Sequence, residues 1–169
     1  MVYKDIPKSV QKFMDDITQK CGKTHADWAT NFTAAFANTL LTTVKKQNDG
    51  TTFLLTGDIP AMWLRDSTAQ VRPYLVIAKE DEELADMISG LVKKQFFYIN
   101  IDPYANAFNE EANGAGHQTD HTKMNDWIWK ENMKLILYAT RYSWPIFFTK
   151  IQEKRTNSTQ LLLKESKKS

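Results

Sequence analysis

A chain of 169 residues with 42% hydrophobic, 25% charged and 12% aromatic positions has the make-up of a folded domain, so disorder is not the starting expectation. Its 22 Lys+Arg against 20 Asp+Glu leave a formal charge of +2, too balanced to imply a nucleic acid or an anionic membrane as partner. No apolar run approaches the ~18 residues of a membrane span, and the N-terminal MVYKDIPKSVQKF lacks the apolar stretch of a secretory signal, so the expected location is cytoplasmic. Cys21 alone excludes an internal disulfide and a Cys-based zinc site.

Along the chain, Val10, Phe13, Met14 and Ile17 recur at helical spacing within Lys8–Gln19. A second amphipathic helix is expected over Asp27–Lys46, with Trp28, Phe32, Ala35, Phe36, Thr39, Leu40 and Thr43 as its stripe. Asp27 or Thr24 would cap it, and Asn48-Asp49-Gly50 is the turn beyond. The short β-prone run Thr51–Thr56 suits a strand. It delivers the chain to GDIPAMWLRDS, after which Asp66 would cap a helix carrying Val71, Leu75 and Ala78, interrupted by Pro73. Asp81-Glu82-Glu83 load the first turn of the next helix, whose stripe is Leu84, Met87, Ile88, Leu91 and Phe96. Lys93-Lys94 on that helix reads as a solvated face. Residues 101–124 are rich in Asn, Asp, Gly and Thr and read as one long loop, a kind of segment that usually carries function. The fold class implied is all-α dominated.

The chemistry-bearing segment is residues 57–75, GDIPAMWLRDSTAQVRPYL, which packs Asp58, Trp63, Arg65, Asp66 and Gln70 into a short path. An aromatic face stacks on the apolar side of a pyranose, while carboxylate and guanidinium groups make directional bonds to vicinal hydroxyls. A purely structural reading competes with this one, in which Arg65 pairs with Asp58 or Asp66 to hold a loop and Trp63 fills core. Asn106, Asn109, Asn113, His117, Gln118, Asp120 and His121 in the long loop add groups that suit a hydroxyl-rich ligand. His117 and His121, four apart with Asp120 between, invite a zinc reading, but Gly114 and Gly116 argue against a helix there and the Glu of a zinc protease is missing. Trp127 and Trp129 alternate across Ile128 and would share one face of an extended stretch, lining a sugar pocket or filling core. No metal is expected.

The strings TGDIPAMWLRDSTAQVRPYL, DPYANAFN and GHQTDHTKMNDWIW, in that order, resemble glycoside hydrolase family 125, the metal-independent exo-α-1,6-mannosidases. The resemblance implies part of an (α/α)6 barrel, inverting hydrolysis of terminal α-1,6-mannose, an α-mannoside oligosaccharide as substrate and no cofactor. It places Trp63, Arg65 and Asp66 in or beside the terminal-mannose pocket, with Asp58, Asn106, His117, Trp127 and Trp129 as further substrate-binding candidates. The catalytic acid and base of that mechanism, roughly 6.5–9.5 Å apart, find no assignment in this chain.

The resemblance stops after Trp129. There the family pattern is expected to continue as KYEIDSLCYPI, whereas this chain reads KENMKLILYATRYSWPIFF. Codons can be chosen for Glu131 to Lys150 that spell KYEIDSLCYPIQLAYFFY when read two nucleotides later. The charge changes at the same point: residues 1–129 hold 13 basic and 17 acidic side chains, residues 130–169 hold 9 and 3, with no Gly or Asp. Residues 1–130 therefore read as the N-terminal portion of a mannosidase domain and 131–169 as an out-of-frame tail. Such a piece of a closed barrel is expected to leave apolar faces such as Leu84–Met87–Leu91 uncovered, to be marginally stable, and to be inactive. A non-catalytic helical domain that binds carbohydrate or a protein is the alternative from a different class, and metal-dependent hydrolysis through His117 and His121 is a third.

Overall fold

Helix α5 (Glu82–Ile101) is the piece around which the rest is assembled in the computed structural model, which describes residues 3–120 and 123–131. Asp81 caps it by accepting a hydrogen bond from the Leu84 amide at 2.9 Å, and Glu82 and Glu83 place negative charge in its first turn. Ser9 on α1 (Lys8–Cys21) donates its hydroxyl to the same Asp81 carboxylate, so the cap also anchors the first helix.

Helices α1 and α2 (Ala26–Asn38) pack as a pair, reversed at Gly22, whose φ of 55° is a left-handed conformation that glycine adopts without strain. Phe13 meets Phe36 at a centroid distance of 5.5 Å, and Phe36 meets Tyr74 at 4.5 Å. The Tyr74 hydroxyl donates to the Phe36 carbonyl, and burial pushes its pKa up to about 12.

The second helix is shorter than its periodicity implies. It ends at Asn38, passes through a wide turn over Thr39–Thr43, and becomes strand β1 (Val44–Lys46). Three of the last five residues before β1 are threonines, and the Thr42 and Thr43 hydroxyls bond back to the carbonyls of Asn38 and Thr39 at 2.7 and 2.6 Å, an arrangement that weakens a helix end. β1 then pairs antiparallel with β2 (Thr52–Leu54) around the expected Asn-Asp-Gly turn, in the register Val44↔Leu54. Neither Thr24 nor Asp27 caps α2: Lys23–His25 form a 3-10 turn, and no side chain bonds to the first amides. Trp28 lies outside the buried stripe, 69% exposed, stacked on His25 at 4.6 Å; Ala29 takes the inward position.

Strand β3 (Met62–Trp63) leads directly into α3 (Leu64–Val71), so Asp66 sits in the first turn rather than at the cap. Pro73 interrupts as its chemistry requires, occupying a 3-10 turn over Arg72–Tyr74 before the short α4 (Leu75–Ala78). The presumed long loop contains strand β4 (Ala105–Phe108), the centre of a three-stranded antiparallel sheet β3-β4-β5 with β5 (Ile128–Glu131). The expectation of helices alone thus needs two small sheets added.

Leu84, Met87 and Leu91 are not left uncovered: they are 0%, 1% and 0% exposed. The β1–β2 hairpin lies over this side of α5 at Gly90, where a methyl group would stand 2.6 Å from the Thr52 hydroxyl and 2.9 Å from the Gly50 carbonyl oxygen. Phe96, placed in the stripe by spacing, is instead 41% exposed, and Tyr98 takes the buried position. No described helix is long and apolar enough to cross a membrane.

Gly90→Ala is expected to lower stability by about 1–3 kcal/mol, because backbone atoms of the hairpin cannot yield to the added methyl. In an open helix the same change stabilises by about 1 kcal/mol. Urea unfolding followed by circular dichroism separates the two, and an unchanged or raised midpoint contradicts the close hairpin contact.

Candidate functional site

A tight turn, a two-residue strand and the first two turns of a helix line an open cavity of about 440 Å³. The turn is closed by Thr56: its amide and its hydroxyl both donate to the Ala61 carbonyl, at 3.2 and 2.9 Å, and the same hydroxyl accepts from the Trp63 amide at 3.2 Å. Gly57, at φ 67°, supplies the left-handed residue that lets Thr56 bridge to Ile59. Trp63 enters from β3, while Arg65, Asp66, Ala69 and Gln70 line the cavity from α3, where positions four apart share a face.

Arg65 and Asp66 form an ion pair, the guanidinium Nη2 donating to both carboxylate oxygens at 3.0 Å. Both are partly solvated, with side chains 48% and 40% exposed, so the pair adds little to stability and its importance is positional. The structural reading of Arg65 is correct in that it pairs with Asp66, yet both groups still line the cavity. Trp63 and Gln70 line the cavity, but Trp63 Nε1 and Gln70 Oε1 are themselves buried; like the Tyr3 hydroxyl, which lies away from the cavity, they have no hydrogen-bond partner among the described residues.

The other sequence candidates lie elsewhere. Asp58 is exposed on the turn, outside the cavity lining, and makes no ion pair with Arg65. Asn106 is buried in β4, where the ladder slips: Ala105 pairs with Glu131 and Ala107 with Lys130, leaving Asn106 as an extra residue. A second slip, with Phe108 opposite Ile128, leaves Trp129 unpaired on β5. Two residues singled out in the sequence are therefore the two bulged positions of the sheet, and bulges re-aim side chains. Trp127 does not share a strand face with Trp129. It precedes β5, packed edge-on against Phe97 at 5.1 Å and beside Tyr98 at 6.2 Å.

Residues 109–120 wrap the outer edge of β5. Asn109, buried, donates its side-chain amide to the carbonyls of Ala115 and Asp126 at 3.0 and 2.9 Å. The backbone amide of His117 donates to the Trp129 carbonyl at 2.8 Å, while its side chain is exposed and outside the cavity lining. Gly116, at φ 102°, lies so close to β5 that a methyl group there would stand 2.3 Å from the Trp129 carbonyl oxygen. Asp120 closes the wrap by accepting from Lys130 Nζ at 2.7 Å and from the Glu131 amide at 3.1 Å; these bonds hold its carboxyl below the usual carboxylate range. Glu131, partly desolvated and facing Asp102 and Asp120, is shifted the other way. Asp120 is thus committed to Lys130, and no group of three His, Cys, Asp or Glu able to hold a metal occurs among the described residues; His121 lies outside them.

Lys94 is the clearest departure from sequence expectation. Far from being solvated, it is 5% exposed, with Nζ over the rings of Phe97 and Tyr98, each at 5.2 Å, and Trp127 at 5.7 Å. Burial lowers its pKa, and the nearby Asp49 and Glu110 oppose that shift. Three ring faces replace part of its hydration, which is how a lysine is kept inside. Thr56, Gly57, Ile59 and Ala69 were the cavity residues missed in the sequence; the only signal for Ala69 was its place four residues after Arg65 on a helix.

Fold and cavity together define a predominantly helical protein with a pocket lined by a tryptophan, an Arg–Asp ion pair and a side-chain amide. The chain belongs to the family described as metal-independent alpha-mannosidase (GH125), whose profile matches residues 25–147. It is 38% identical over 105 residues to the Meiotically up-regulated gene 157 protein of Schizosaccharomyces pombe, covering 60% of this chain and 20% of that one. Its fold is similar to that of a Streptococcus pneumoniae metal-independent alpha mannosidase, solved in a non-productive complex with alpha-1,6-mannobiose. That likeness has a TM-score of 0.82 and 43% identity, over 89% of this chain and 35% of the other. The chain therefore spans about a third or less of the length of these relatives.

The Asp120 clamp gives a pH expectation. A carboxyl held low in the folded state stabilises above its unfolded pKa, and that contribution disappears as pH falls through the folded value. Below the ordinary carboxylate range, amide exchange at Glu131 and His117, corrected for intrinsic rates, should accelerate relative to core amides of α5. Asp120→Asn should show fast exchange at those sites already at neutral pH, and a variant indistinguishable from wild type contradicts the clamp.

Proposed function

We propose that this chain carries the wall of a terminal α-mannose pocket and that, by itself, it binds the sugar without cleaving it. The observation that carries the binding half is the convergence of Trp63, Arg65 and Asp66 on one cavity. The indole supplies an apolar face for the pyranose ring, and the Arg65–Asp66 pair supplies fixed donors and acceptors of nearly cancelling charge, a match for a neutral polyol rather than an anion. Family membership and the mannobiose complex of the similar Streptococcus pneumoniae protein support mannose as the sugar. The same likeness supports placing these helices in an (α/α)6 barrel. Of the remaining sequence candidates, Asn106 and Trp129 retain a proposed role through their bulged positions; Asp58, His117 and Trp127 support the surrounding structure.

The non-cleaving half follows from proton bookkeeping. Inversion needs a carboxylic acid on the leaving oxygen and a carboxylate for water, both facing the scissile bond. Among the described residues the cavity has one carboxylate, Asp66, and it is engaged with Arg65. A non-catalytic carbohydrate-binding role is thus how this stretch of chain acts alone.

We also propose that residues 131–169 are an out-of-frame tail, on the strength of the alternative-frame peptide and the change from an acidic to a basic chain near Lys130. The family match continues to residue 147, so an in-frame continuation over 131–147 is the competing reading. The gene's nucleotide sequence decides: an alternative frame that does not spell the expected continuation ends the proposal.

Two outcomes are expected from the purified 169-residue chain. Titration with α-1,6-mannobiose should show binding that Trp63→Ala and Arg65→Ala each weaken by about tenfold or more, about 1.4 kcal/mol. Incubation with the same disaccharide should release no mannose above a heat-denatured control. Absence of binding overturns the first half, and turnover overturns the second.

A further inference from the structure

The exposed side of α5 changes character along its length. At first the exposed positions are Glu82, Glu83, Asp86 and Lys93, the charged residues of a solvated face. In the last turns they are Phe96 and Phe97, 41% and 42% exposed, and Tyr104 just past the helix is 48% exposed. Leu84, Met87 and Leu91 are covered, so these three rings are apolar surface left over after the described elements have packed. Two of them are held in place: Phe97 rests edge-on against Trp127 at 5.1 Å, and the Tyr104 amide donates to the Asp102 carboxylate at 2.8 Å. Trp28 and Val76, the other large exposed apolar residues, lie singly on α2 and α4, which is ordinary for a protein surface.

Two features identify what covers the rings. Ala105, next to Tyr104, pairs with Glu131, so β5 finishes beside the C-terminal end of α5, and a chain running on from β5 departs there. The similar Streptococcus pneumoniae protein shares this fold at a TM-score of 0.82, yet only 35% of its length is matched, so about two thirds of it has no counterpart here. The surface is also preformed. Val92, Ile99 and Ile101 of the same helix pack against a core built within residues 3–131, so the rings are presented without help from an attached segment. Covalent connection to an occupant would raise its effective concentration without adding a contact.

We propose that the apolar end of α5 is an interaction surface for a separate polypeptide, the part of a metal-independent alpha-mannosidase that this chain does not span, with Phe96, Phe97 and Tyr104 as its anchors. Aromatic side chains held in position before a partner arrives are the usual centre of such a contact, and Lys93 and Asn100, exposed on the same helix, supply a polar rim. Three partly exposed rings offer less than the roughly 800 Å² per partner of a stable interface, so they are the middle of a larger contact. The proposal stands on family membership and on the exposed rings, and is independent of the mannose reading above.

The test co-expresses the full chain, tagged, with an untagged polypeptide made of the region of the Streptococcus pneumoniae protein that this chain does not match. A one-to-one complex is expected to co-purify. Phe96→Asp and Tyr104→Asp should each raise its dissociation rate by about tenfold or more, whereas Phe96→Tyr keeps the ring and should keep the complex. Both positions are exposed, and thermal melts of each variant chain alone confirm that it is folded. Three results overturn the proposal: no co-purification, which assigns the rings to another occupant, residues 132–169 included; a complex that dissociates at the wild-type rate in both Asp variants; or a homodimer of the chain alone that Phe96→Asp splits, which assigns the rings to a second copy. Release of mannose from α-1,6-mannobiose by the complex is scored separately. A ring-dependent complex that releases none still supports the docking surface and counts against the mannose pocket alone.

Discussion

One side-chain amide holds the site in place. Gln95 on α5 is buried, and its Nε2 lies 3.2 Å from the Leu64 carbonyl, 3.0 Å from the Ser67 hydroxyl and 2.9 Å from the Thr68 hydroxyl. Those two hydroxyls also donate to the Leu64 carbonyl, so a single main-chain oxygen at the start of α3 gathers three donors. Interior networks of this kind cost little when every member is satisfied and a good deal when one is removed. The consequence is orientation. With its Ser67–Thr68 side locked to α5, α3 can present only its opposite side, with Arg65, Asp66, Ala69 and Gln70, to the cavity.

The second wall is set by a different constraint, the closeness of two backbones. Gly116 against Trp129 and Gly90 against the hairpin are both positions where a methyl group would overlap main-chain atoms. Asn109 and Asp120 then tie the wrapping segment to β5 at its two ends. What is fixed this way is the bulged sheet carrying Asn106 and Trp129 beside β3, and β3 carries Trp63. Helix and sheet thus meet at a tryptophan that ends one and begins the other.

Patterns confined to one element were legible in the sequence, and contacts between elements were not. The α1 stripe, the turn at Asn48–Gly50, the break at Pro73 and the acidic start of α5 follow from spacing or single-residue chemistry, and the structure has each of them. Trp63, Arg65 and Asp66 were visible as a cluster because they are adjacent in the chain, and a helix start keeps them together. Lys94 and Phe96 exchanged expected places because solvent exposure of α5 depends on what packs on it: Trp127 arrives from outside the helix to join Phe97 and Tyr98, one turn along α5, around Lys94, whereas Phe96 stays 41% exposed. Strand β4 was hidden in an Ala-Asn-Ala-Phe string with no alternation, since all four positions are buried and one is a bulge. The helix predicted through Lys46 fails for the same reason, because pairing with Thr52–Leu54 outweighs an apolar period that continues locally.

The expectation of an uncovered α5 was wrong in a way that bears on function. Its apolar side is closed by the β1–β2 hairpin, by α3 through Gln95 and by the cluster around Trp127, all within residues 3–131. The wall of the cavity is accordingly held by contacts local to this stretch. In the proposed function, binding and bond cleavage then separate physically: the first needs an aromatic face with donors and acceptors of balanced charge, the groups found in Trp63, Arg65 and Asp66. The second needs two carboxyl groups opposed across the glycosidic bond, and among the described residues the cavity offers one, engaged by Arg65. The surface proposed to hold a sugar is therefore organised by a set of contacts that, among the described residues, contains no acid–base pair.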